Sequence, residues 1–79
     1  MRNYYIEKIG KGLEGGYSED LLSVAADFDR IIDQRIREGW MVIDRDMRLG
    51  VDYSSAVLSK KDEGNNLAIV GYQIKSVEV

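Results

Sequence analysis

Three sets of residues in the 79-residue chain could do chemistry. The first is Gly10-Lys11-Gly12-Leu13-Glu14-Gly15, which matches G-x-G-x-x-G and runs on into Gly16. Glycines in such a run let backbone N–H groups approach a pyrophosphate at a helix N-terminus. Gly10, Lys11, Gly12, Gly15 and Gly16 are therefore a candidate ligand loop for a nucleotide-like or other anionic ligand. Three features argue against it. The following helix is expected to start at Ser18, beyond the glycines. Glu19 and Asp20 place negative charge where the phosphate would sit. The chain also has room for one strand–helix–strand crossover, not the doubled unit such sites use.

The second set is Asp44-Arg45-Asp46, whose two carboxylates project from one side of an extended segment. Paired acids bind Mg²⁺ or Ca²⁺, or do acid–base work, and Gln73 with Lys75 could complete a nuclease-like group. So short a scaffold and an acidic net charge disfavour that reading. A solvated strand end, with Arg45 and Arg48 pairing locally, is expected instead. The third set is aromatic. Trp40 could be a stacking platform or an interface hot spot, although its place just after a helix stop favours a structural role. Tyr4, Tyr5, Tyr53 and Tyr72 could offer stacking surfaces to single-stranded nucleic acid, but no Lys/Arg interleaving supports them.

Composition narrows the field further. The chain has no Cys and no His, so disulfides, thiolate metal sites, the commonest general base and the commonest transition-metal ligand are all missing. We expect no catalytic residues, no metal and no cofactor. The net charge of −3 argues against duplex nucleic acid as a partner, since phosphate binding needs a concentrated basic surface. No apolar run reaches the roughly 18–20 residues of a membrane span, and Met1 opens no cleavable signal pattern, so a cytoplasmic location is expected by default. Hydrophobic residues at 44% and charged residues at 32% fit a folded domain. A chain of this length buries roughly 60–65% of its unfolded surface, which leaves a monomer marginal and makes self-association the natural reinforcement.

The element that must position these residues is an amphipathic helix between Ser18 and Trp40. Ser18 reads as its N-cap, with Glu19 and Asp20 in the first turn. Leu21, Ala25, Phe28, Ile32 and Ile36 recur at helical spacing, widened by Leu22, Val24 and Ile31. Arg35 and Arg37 suit the C-terminal end of the dipole, and Gly39 followed by Trp40 reads as a left-handed stop with an apolar residue folding back. On the polar face, Asp33–Arg37 and Asp27–Arg30 have ion-pair spacing.

Strands are expected over Asn3–Ile9, Trp40–Arg48, Tyr53–Lys60 and Leu67–Glu78. Gly10–Tyr17 reads as a loop, Leu49–Asp52 as a turn, and Lys61–Asn66 as a second loop. Gly71 is a possible bulge or bend in the last strand. The order β-α-β-β-β gives a single α+β domain over residues 1–79. Its four-stranded mixed, mostly antiparallel sheet carries one helix packed on one face, and a right-handed crossover makes the first two strands parallel.

The closing Glu38-Gly39-Trp40, with the Tyr-rich first strand (Tyr4, Tyr5, Ile6), resembles a family of small bacterial and phage domains of unknown function. The resemblance implies a helix-on-sheet fold and a mobile-element origin, and it carries over no active-site residue. One helix cannot cover both sheet faces, so Trp40, Val42, Tyr53, Val57, Leu67 and Ile69, or the opposite set, are expected to form an apolar interface. The sequence therefore reads as a non-catalytic module that forms a homodimer or larger assembly and contacts another protein. The alternative is a small-ligand binder using the glycine-rich loop or a subunit interface.

Overall fold

The computed structural model describes residues 1–47 and 54–79. The described elements are β1 (Arg2–Lys8), β2 (Gly12–Ser18), α1 (Leu21–Arg37), β3 (Met41–Met47), β4 (Ser54–Lys61) and β5 (Leu67–Glu78). The strands form one five-stranded sheet in the order β2-β1-β5-β4-β3, with every neighbouring pair antiparallel. The fold is thus α+β with one helix, but the expected four-stranded mixed sheet is corrected.

The correction comes from the glycine-rich segment. Gly10–Tyr17 is not a loop: Gly12–Ser18 pairs with β1 as a hairpin, Lys8 opposite Gly12 and Tyr4 opposite Ser18. A tight turn closes it, with Lys11 N–H donating to the Lys8 carbonyl and Gly10 at φ +81° in the position that needs a left-handed residue. This added strand reverses the chain before the helix. β1 therefore runs antiparallel to β3, which lies at the opposite edge of the sheet, and the expected parallel crossover does not occur.

The helix starts two residues later than expected, and its cap shifts with it. Asp20, not Ser18, is the N-cap, its carboxylate accepting from Leu22 N–H at 3.1 Å. Ser18 Oγ accepts from Asp20 N–H and so steadies the cap residue itself. Glu19 and Asp20 therefore precede the first turn, which holds no acidic residue. The C-terminus is as expected. Trp40 N–H donates to Arg35 O and Gly39 N–H to Ile36 O, with Gly39 at φ +99°, the paired bonds of a Schellman stop.

Val24, Phe28 and Ile32 form the buried centre of the helical stripe, flanked by half-buried Leu21, Ala25 and Ile31. They pack on Ile6 of β1, Val70, Tyr72 and Ile74 of β5, and Ala56 and Leu58 of β4. Ile36 and Leu22 lie outside that centre and are exposed. At the far edge, Arg45 of β3 reaches back to the helix and pairs with Asp29 at 2.6 Å. Gly71 is neither bulge nor bend. The register of β5 runs through it without a shift, and a Cβ there would come within 2.9 Å of the Ile9 side chain lying across the strand. Arg48, the expected turn at Leu49–Asp52 and Tyr53 lie outside the described residues.

Candidate functional site

The register assigns each strand residue to one of two faces, because residues opposite each other across a ladder point the same way. Ile69 of β5 faces Ser59 of β4, which faces Met41 of β3. Gly71 faces Val57, which faces Asp44, and Ile9 lies over Gly71 on the other side. These residues share the face away from the helix, with Leu67 one step further along. The contrast within β5 is direct: Ile69 is 56% exposed and its neighbour Val70, pointing at the helix, 9%. Ile9, Met41, Ile43 and Leu67 are likewise exposed. The open face therefore carries exposed aliphatic side chains on β5 and β3 and just past the end of β1, with Ser59 and half-buried Val57 of β4 between them.

Beyond that patch the open face changes character. Gln73 donates to Glu7 Oε1 at 2.9 Å and Lys75 Nζ lies 3.5 Å from Glu7 Oε2, forming a polar cluster across β1 and β5. Past it, on the β1–β2 side, the rings of Tyr5 and Tyr17 lie 6.2 Å apart, and Leu13 is exposed beside Glu7. Leu13 and Tyr17 escaped the sequence reading because their segment looked like a loop. Ile43 was hidden by a register shift between Val42 and Asp44, which leaves it without a partner on β4.

The expected interface set is divided. Val57, Leu67 and Ile69 lie on the open face, but Trp40 and Val42 are half-buried against the core under the helix. The same register shift explains this. Simple alternation would keep Val42 on the side of Asp44 and Asp46, whereas the bulge lets Val42 face the helix and the two acids face away. Asp44 and Asp46 do share a face, as expected. Gln73 and Lys75 engage Glu7 instead of joining them, and β4 lies between the two groups. Among the described residues, no three acidic side chains gather as a metal site would require.

The tyrosines also part company. Tyr4 packs on the core, Tyr5 is on the open face, and buried Tyr72 accepts from Arg35 Nε at 2.9 Å. That hydrogen bond, with help from Glu38, holds the Arg35 guanidinium above its ordinary pKa, so it is charged throughout the working range. Arg35 also reaches Glu38 at 3.1 Å and Glu14 of β2 at 3.6 Å, tying helix, central strand and edge strand together.

The glycine-rich segment does not form a phosphate cradle. Gly10 sits in the hairpin turn and Gly12 opens β2, whose seven residues, about 23 Å of extended chain, run between that turn and the helix N-terminus. Gly15 and Gly16 line a cleft between β2 and α1 together with Ile6, Asp27, Arg30, Ile31 and Gln34, with a volume of ≈ 320 Å³. No helix among the described residues is long and apolar enough to cross a membrane. Compared with protein-family models, curated proteins and solved structures, the chain matches none of them.

Proposed function

We propose that this chain is a small non-catalytic cytoplasmic module that assembles with itself through the open sheet face and binds another protein. The observation that carries this reading is the set of exposed aliphatic side chains Ile9, Met41, Ile43, Leu67 and Ile69, gathered around half-buried Val57, which nothing in a single copy covers among the described residues. Contiguous apolar surface of this kind marks an interface. A second copy is the occupant that the dimensions and charges favour. Five strands of 7 to 12 residues present roughly 600 Å² in projection, before the relief of the side chains is counted. A standard interface uses about 800 Å² per partner. On this face Asp44 stands beside Val57 and Lys61 beside Leu67, so both signs of charge border the patch, as a self-complementary two-fold contact needs.

The test is the mass in solution at low micromolar concentration, by size exclusion with light scattering. Two or more chain masses of 9.0 kDa are expected. A clean monomer that also captures no partner in a pull-down from its host would sink the reading. The alternative, an anionic ligand on the glycine-rich segment, has less support, because Arg30 at the cleft is paired with Asp27. A nucleotide thermal-shift screen should accordingly be flat.

A further inference from the structure

We propose that a second copy docks on the open face in one register, in which Lys61 of each copy pairs with Asp44 of the other. The inference rests on the self-assembly part of the reading above and adds to it a specific contact and a two-fold axis. It starts from the charged strand residues of that face. Glu7 is held by Gln73 and Lys75. Asp46 also has a partner within the chain. Asp44 and Lys61 are exposed, and among the described residues neither meets a partner within the copy. Asp44 is level with Val57 of β4, and Lys61 of β4 is level with Leu67 of β5. Asp44 and Lys61 are therefore one strand and four residues apart, about 14 Å on the sheet, too far to pair with each other.

A two-fold contact between sheet faces has its axis between the sheets and makes every unlike contact twice. The axis that brings Lys61 onto the other copy's Asp44 bisects the line joining the two residues. It crosses the strands near Ser59, whose ladder neighbours are Met41 and Ile69. Met41 and Ile69 of the two copies then meet across the axis, and the small Ser59 side chain lets the sheets approach. Leu67 comes over Val57 of the other copy, because this pair has the same offset as Lys61 and Asp44 and its midpoint lies close to the same axis. The two sets of strands stay roughly aligned, as packed sheets prefer. The cluster of Glu7, Gln73 and Lys75, already satisfied within its own copy, falls outside the overlap and keeps its water. An axis along β4 instead stacks Lys61 on Lys61, a like-charge contact that costs affinity. The charges thus choose among registers that the aliphatic side chains alone leave open.

The experiment compares D44K, K61E and their equimolar mixture with the unmodified chain, by light scattering and native mass spectrometry. Each variant alone sets like charges against each other at both contacts, so its self-dissociation constant should rise on the order of tenfold or more. In the mixture every such contact again joins opposite charges, and the mixed dimer should rise well beyond the roughly one half that random pairing gives. On the unmodified chain, isotope-filtered NMR of differently labelled copies should show Leu67 methyls touching Val57 methyls, which lie about 14 Å apart within one copy. That measurement stands on its own if a variant folds poorly. Variants that self-associate as readily as the unmodified chain would overturn the register, and so would a mixture that pairs at random or the absence of the Leu67–Val57 contact. Each of these leaves self-assembly in place. An unmodified chain that stays monomeric would remove both.

Discussion

The two faces of this sheet are built from the same five strands and differ in almost everything else. Under the helix, Ile6, Ala56, Leu58, Val70, Tyr72 and Ile74 meet Val24, Phe28 and Ile32 in a sealed core, and the one buried hydroxyl there, on Tyr72, is met by Arg35. On the other side, equally apolar residues at positions 9, 41, 67 and 69 stand about half exposed or more. β-Propensity alone cannot tell such faces apart, since a branched or aliphatic residue suits either. What separates them is cover. The lesson is that strand composition reports how much surface must be buried, while the helix count reports how much the chain can bury by itself.

The comparison can be broken most forcefully at the centre of the covered face. Phe28→Ala removes the largest helical anchor of the core and should cost about 3–5 kcal/mol in urea denaturation, a large share of the stability of so small a domain. A cost below about 1 kcal/mol would mean that the covered face is not the core. Ile69→Lys tests the open face. It should leave the far-UV spectrum of the chain intact and reduce its mass in solution to one chain, an interface loss of about 2 kcal/mol or more. Unfolding without a change of assembly would place Ile69 in the wrong category. Tyr72→Phe sharpens the boundary between core and surface. Removing the hydroxyl that meets the Arg35 guanidinium should lower stability by about 1.5–3 kcal/mol or somewhat less, since Arg35 keeps Glu38. The smallest effect is at the helix start. Asp20→Ala should cost about 1 kcal/mol and Ser18→Ala less, because only Asp20 caps the helix directly. The reverse order would restore Ser18 as the cap.

Much of this was legible in the sequence. The spacing of Val24, Phe28 and Ile32 and the Gly39-Trp40 stop define the helix without ambiguity, and one helix against several strands already implies an uncovered face. The hairpin was not legible, for a physical reason. Glycines at 10, 12, 15 and 16 erase the side-chain alternation that identifies a strand, and the bulges in the β1–β2 ladder shift what alternation is left. One missed strand was enough to reverse the expected direction of β1 relative to β3. The misplacement of Trp40 and Val42 has a similar origin, since a single unpaired residue, Ile43, exchanges the faces of everything after it.

The claim that a second copy seals the open face is tested most directly by the solvent contact of its methyl groups. With the methyls labelled, a soluble nitroxide broadens those that face water and spares those that do not. The account predicts that Ile69 and Val57 are protected nearly as well as Ile32 and Leu58, while Leu22, 78% exposed on the helix, is broadened strongly. Broadening of Ile69 to the extent of Leu22, at concentrations where the assembly should be complete, would contradict it.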